Sequence, residues 1–274
     1  MNLLSHQRAA YQIITDLFTP QTITQSETHR KIISWYIRFD LFAAAMSGAN
    51  PALGREWFAS CADFYKRQAR DRPNEVGAKF EEWFAASRLL ATDTAILFAS
   101  KTAGKITDEK FMKDIGSLTN QMVTFGNTID NAFTDSSCFI KSFPNAPPPN
   151  ENDITDYRDP RFCYAGDLFT MNFVRLDFWA IVLMFKYQIS MAQPSTANPA
   201  ELMELALKKC KILEAVQYSG QGPPGAVLGC QASLGIAALF LPKDDKHTNW
   251  CRRKFALMEQ NGYVGLFPSC WEAY

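Results

Sequence analysis

Histidine is scarce: His6, His29 and His247 are the only three in 274 residues. No H-E-x-x-H, P-loop or G-x-S-x-G is present, so the common zinc-protease, nucleotide and serine-hydrolase signatures are missing. No pair among the seven cysteines has a C-x-x-C spacing, and their number is odd. A chain this long needs no disulfide staples, so the thiols read as reduced, intracellular and mostly packed as small hydrophobes. Charge of one sign is also lacking, with Lys plus Arg and Asp plus Glu at 28 each. That balance gives no general attraction to nucleic acid or anionic lipid. A signal peptide is not expected, because Met1-Asn2-Leu3-Leu4 runs straight into Ser5-His6-Gln7-Arg8.

Apolar material at helical spacing is plentiful: 47% of residues are hydrophobic and 13% aromatic. Strand alternation is scarce, and the pattern predicts an all-α fold, a single large multi-helix domain packed around a central hydrophobic helix. Helices are expected near Leu4–Phe18, from Ser26 or Thr28 to Ser47, at Leu53–Arg70, Glu75–Ala103 and Asp108–Asn131, then at Ala200–Val216, Ala226–Leu241 and Thr248–Asn261. Gly48 and Gly262 stand where the second and last of these should stop. In the second helix Ile32, Trp35, Phe39, Phe42 and Met46 form one continuous face. A Pro-rich stretch at 134–159 separates two helical halves, 1–133 and 160–274, and reads as a loose crossover between them. A Gly/Pro turn occupies Gly220–Gly225.

The central helix is expected at Leu168–Ile189, where apolar side chains point in every direction. A helix hydrophobic all round belongs inside a core. Its longest uncharged run, Phe178–Phe185, is eight residues, short of the ~20 a bilayer requires, so no membrane span is expected. Asn172, Arg175 and Asp177 interrupt that surface and must find partners when buried. They read either as structural hydrogen bonds or, with Phe178 and Trp179, as the polar end of an apolar ligand pocket. Arg38, Asp40, Arg55 and Glu56 read as interhelical ion pairs, with ligand gripping as the alternative. The basic clusters Lys66-Arg67…Arg70, Lys208-Lys209…Lys211 and Arg252-Arg253-Lys254 fit solvated helix faces. Asp244-Asp245 lacks the further acid of a metal-binding diacid motif and reads as a turn entering a helix. No catalytic residue, metal site or cofactor is expected.

Residues 31–58 (KIISWYIRFDLFAAAMSGANPALGREWF), 163–188 (CYAGDLFTMNFVRLDFWAIVLMFKYQ) and 225–265 (GAVLGCQASLGIAALFLPKDDKHTNWCRRKFALMEQNGYVG) together resemble the regulatory domain of fungal zinc-cluster transcription factors. The strongest match runs from Ala232 through Pro242 to Trp250, Arg252, Arg253, Lys254 and Glu259, positions that in that family are mainly architectural. The six closely spaced cysteines of the family's DNA-reading module are missing. The resemblance implies an all-helical, non-catalytic domain in the nucleus, without direct nucleic acid contact, that answers to a small apolar metabolite or sterol. It also implies dimerisation and coactivator contact. The alternative is a constitutive helical scaffold without a ligand. An enzyme of terpenoid metabolism is disfavoured by the incomplete diacid.

Overall fold

The computed structural model describes residues 3–159 and 161–261, and among these the chain is all-α, with nine α-helices, four short 3-10 turns and no strand. Gly262, the expected stop of the last helix, and Pro160 lie outside the described residues. Internal packing divides the chain into two compact units, Met1–Thr134 and Asp135–Tyr274.

The first unit contains α1 (Leu3–Leu17), α2 (Glu27–Ser47), α3 (Arg55–Asp71), α4 (Val76–Thr102) and α5 (Asp108–Asp130). Ser26 starts α2 by accepting the His29 amide on its hydroxyl at 3.1 Å. Gly48 stops it at φ 66°, a left-handed conformation that glycine adopts without strain. α1 and α2 run antiparallel: the side chain of Gln7 donates to Asp40 at 2.6 Å near one end, and the rings of Phe18 and His29 meet at 4.9 Å near the other. Ile14 and Phe18 pack there against Ile33, Tyr36 and Ile37. The aromatic face read from the sequence of α2 is only partly its core face, with Phe39 packed on the core. Trp35 is 69% exposed and Ile32 40%. The stripe one residue on is the buried one, because Ile33, Tyr36, Ala43 and Ala44 let α2 lie close to its neighbours. α3 and α5 each pack on α4.

The second unit contains α6 (Met171–Ala192), α7 (Pro199–Tyr218), α8 (Gln231–Ala238) and α9 (Asp245–Gln260). The Pro-rich stretch belongs to it and is tied down rather than loose. Ile140 donates to the Cys163 carbonyl at 2.8 Å and Ala165 to that of Cys138 at 2.9 Å. This clasp places the ring of Phe139 on that of Tyr164, 4.7 Å apart.

α6 begins after a 3-10 turn at Gly166–Leu168 and packs against α7 and α8. Met171, Val174, Leu176, Phe178, Leu183 and Phe185 are buried, while Tyr187 and Met191 near its end are exposed. By length and composition Gly166–Ala192 could cross a membrane, with mean hydropathy 1.6, and half of that window is buried inside the protein. In place of the single helix expected from Ala226, a 3-10 turn at Ala226–Cys230 leads into the short α8. Gly229 explains the close approach there: a Cβ at that position would stand 2.9 Å from the Phe173 ring.

Candidate functional site

Asn172, Arg175 and Trp179 recur at i, i+3 and i+7 and so share one face of α6. That face holds the segment between the Pro-rich stretch and α6. Asn172, fully buried, accepts the Tyr164 amide at 2.9 Å and donates to the Tyr164 carbonyl at 3.0 Å and the Phe169 carbonyl at 2.9 Å. Its polar atoms are thus engaged with backbone. The Arg175 guanidinium donates to the Phe162 carbonyl at 2.9 Å and lies 4.6 Å from the Trp179 ring centroid. It also faces the rings of Phe162 and Tyr164, at 5.3 and 5.5 Å. Phe178 is buried on a different face of the helix. Of the four residues considered for a ligand, three therefore meet, and together they clamp backbone and aromatic rings.

A second polar knot lies around Glu214 on α7, and nothing in the sequence distinguished it. Its Oε1 accepts from the indole of Trp250 at 2.8 Å and lies 3.1 Å from the Lys254 ammonium. Its Oε2 accepts from Thr155 at 2.7 Å. Lys254 also donates to Gln217 at 2.7 Å and lies over the Tyr218 ring. Trp250 and Lys254 belong to the segment that resembles the zinc-cluster regulators, and here they join α9 to α7. Five positions before Glu214 on the same helix, Lys209 is 1% exposed and its Nζ makes no hydrogen bond. Burial pulls that ammonium down to about 7, opposed by the nearby Cys210 and Asp177.

In the first unit the expected ion pairs take other partners. Arg55 grips Asp93 with both arms of its fork, at 2.5 and 2.9 Å. The Glu56 carboxylate folds back over Gly54, filling the place a Cβ there would occupy. Asp40 is held by amides: the Ala52 and Leu53 backbone N–H groups donate at 2.8 and 3.0 Å, together with Gln7. Burial raises its carboxyl above the usual range, and those hydrogen bonds oppose the rise. Asp40, Arg55 and Glu56 thus serve as separate loop and helix fastenings, while Arg38 is exposed on α2.

Between α3 and α5 a cleft of about 710 Å³ opens over α4. Its floor is the α4 stripe Glu82, Trp83, Ala86, Leu89, Leu90 and Asp93. One wall is the α5 face formed by Ser117, Asn120, Gln121, Thr124, Phe125 and Thr128, a polar stripe with no charge. The opposite wall, from α3, is charged, with Asp63 and Lys66 beside Arg55. An adjoining pocket of about 570 Å³ continues along α3 towards Arg72 and Pro73. Both hollows are broadly open to solvent. Sequence reasoning missed this cleft; the charge-free stripe on α5, set at helical spacing, is the signal that could have found it. The cluster Lys66-Arg67…Arg70, expected as a solvated face, is exposed and also lines the pocket.

The same unit carries an exposed apolar strip. Ile13 and Leu17 each precede a core residue of α1 by one position, as Ile32 and Trp35 do in α2. Antiparallel helices are related by a two-fold axis normal to their plane, so equal offsets put all four side chains on one side of the pair.

Asp244, His247 and His29 make local structural contacts. Asp244 caps α9 by accepting the His247 amide at 2.9 Å and also meets its ring. His29 meets the Thr22 carbonyl. Gly220-Gln221-Gly222-Pro223-Pro224-Gly225 spells G-x-G-x-x-G, but it follows α7 and lacks the preceding strand of a dinucleotide fingerprint. Among the described residues no three His, Cys, Asp or Glu side chains group as metal ligands. Comparison with protein-family models, curated proteins and solved structures finds no match to this chain.

Proposed function

We propose that this chain is a non-catalytic, ligand-responsive regulatory domain of the kind found in fungal zinc-cluster transcription factors, working in the nucleus through coactivator or self-contacts. The observation that carries this reading is the cleft over α4, large enough for a metabolite and walled by one charged and one uncharged helix face. The engagement of Glu214, Asp40 and Asp244 in fastening helices and loops supports binding over chemistry. The mechanism is a shift of population between packings of α3, α4 and α5. A ligand must prefer one packing by about 5.5 kcal/mol to reverse a hundredfold bias. The test has two arms: thermal melting against a panel of metabolites and sterols, and a reporter driven by the chain fused to a heterologous DNA-binding module. No rise in melting midpoint and a silent reporter would refute the reading.

A second reading, a constitutive interaction scaffold, is favoured by the strip of Ile13, Leu17, Ile32 and Trp35. Exposed large apolar side chains gathered on one side of a helix pair suit contact with a partner. A Trp35→Lys variant that keeps the same sedimentation behaviour and partner recovery as the unaltered chain would remove it.

A further inference from the structure

We infer that the ligand of the α3–α4–α5 cleft is an amphiphilic acid, with its carboxylate or phosphate among the basic side chains at the α3 end and its apolar body along the α4 floor. This rests on the ligand-binding reading above and adds to it the ligand's chemistry and orientation. The pocket at the α3 end is lined by Lys66, Arg67, Arg70, Arg72 and Lys79. Only three acids, Asp63, Glu75 and Glu82, line it as well. Two of these are occupied: Arg72 meets Glu75 at 3.3 Å and Lys79 meets Glu82 at 3.1 Å. Among the described residues Lys66 and Arg67 have no ion-pair partner, and Arg70 reaches only its neighbour Asp71, at 3.5 Å. The C-terminal end of a helix favours one or two cations by its macrodipole. With Arg72 and Lys79 paired and Arg70 beside Asp71, Lys66 and Arg67 on the α3 wall are the cations left to meet a localised anion.

The two hollows share Asp63, Lys66, Lys79 and Glu82, so a single ligand can extend from one into the other. Beyond Lys66 the floor turns apolar with Trp83, Ala86 and Leu90, and Phe125 overhangs it from α5. Asn120 and Gln121 on that wall offer amides without charge, which suits an ether, ester or hydroxyl along the body. A cationic amphiphile would place its charge beside the basic cluster, and a neutral one would leave the cluster unanswered.

Isothermal titration of the full chain with dodecanoate, dodecyl phosphate, dodecylamine and inorganic phosphate, all below micellar concentrations, tests the inference. Both acids, or the one whose headgroup fits, are expected to bind once per chain. The amine is expected at least about tenfold weaker, since a charge-assisted bond carries that much. Inorganic phosphate alone binds more weakly than either acid if the apolar floor contributes. Lys66→Glu with Arg67→Glu, on exposed positions, should weaken the acid at least about tenfold at an unchanged melting midpoint. Arg252→Glu with Arg253→Glu, in the other unit, should change nothing. Preference for the amine, or undiminished acid binding by the Lys66/Arg67 variant, overturns the inference. A neutral sterol of the melting panel that binds where the acids do not overturns the ligand class while leaving a ligand-binding domain. Acid binding with a silent reporter upholds the ligand class and refutes the regulatory reading. Dodecanoate against dodecyl phosphate separates a carboxylate from a phosphate source.

Discussion

The indole N–H of Trp250 donates to the Glu214 carboxylate at 2.8 Å, and the same carboxylate oxygen lies 3.1 Å from the Lys254 ammonium. A buried anion thus answers a neutral donor and a cation from successive turns of α9. Removing one member of such a group leaves the others desolvated and uncompensated. Glu214→Ala is expected to cost about 3–5 kcal/mol in urea unfolding of the second unit. Glu214→Leu combined with Lys254→Met should cost less than Glu214→Ala alone. A double-variant loss equal to the sum of the separate Glu214→Leu and Lys254→Met losses would show that the pair carries no coupling.

Lys209 offers the reverse case, a buried ammonium without a hydrogen-bonded partner. Its pKa falls from 10.5 to about 7 on folding, so between those values the unfolded chain binds the extra proton. Stability therefore rises with pH across that window, and the penalty is complete below about 7. Lys209→Met should stabilise the protein at neutral pH by several kcal/mol, because each tenfold loss of proton affinity on folding costs about 1.4 kcal/mol. The variant should also lose much of the slope between pH 7 and 10. A denaturation series at fixed urea across that range checks both the sign and the slope.

Asn172 should behave as a clamp on the segment before α6. Asn172→Ala strips its side-chain bonds from the Tyr164 amide and carbonyl, while the Phe169 carbonyl keeps the backbone amide of residue 172 at 3.2 Å. Each buried group left unsatisfied costs about 1–3 kcal/mol. Hydrogen exchange is expected to accelerate first at the Tyr164 amide. If exchange there is unchanged, the side chain does not hold the loop.

Thiol reactivity follows burial. Burial pushes Cys163 up to about 12 and Cys61 and Cys251 to about 11, so little thiolate forms at neutral pH. Cys138 is the least buried of the six described cysteines. Iodoacetamide under native conditions should label Cys138 ahead of the other five, with peptide mapping as the readout. Early labelling of Cys163 would mean that the clasp at Phe139 and Tyr164 opens readily.

Much of the helical layout is legible in residue order because its signals are local. Ser26, Gly48 and Asp244 act within one turn of themselves, as caps do, and α2 and α9 begin or end where they stand. Gly229 escapes that kind of reading for the opposite reason. The helix expected from Ala226 yields to a 3-10 turn, and Gly229 admits the Phe173 ring from α6, far away in the chain. Arg55 shows the same limit: its partner, Asp93, is 38 positions away on another helix.

Residue order alone settled the all-α class, since apolar spacing and cap chemistry are read over a few residues and need no neighbour. It also singled out Asn172, Arg175, Phe178 and Trp179 as a polar-aromatic group on the central helix. Only tertiary structure decided what that group does, because a side chain's role depends on which backbone arrives against it, and Phe162 to Phe169 arrive there. The same holds for α2, where two stripes compete for the core. The one with Ile33, Tyr36 and Ala43 lies inside and Trp35 faces out, a choice made by close packing between helices and invisible to periodicity.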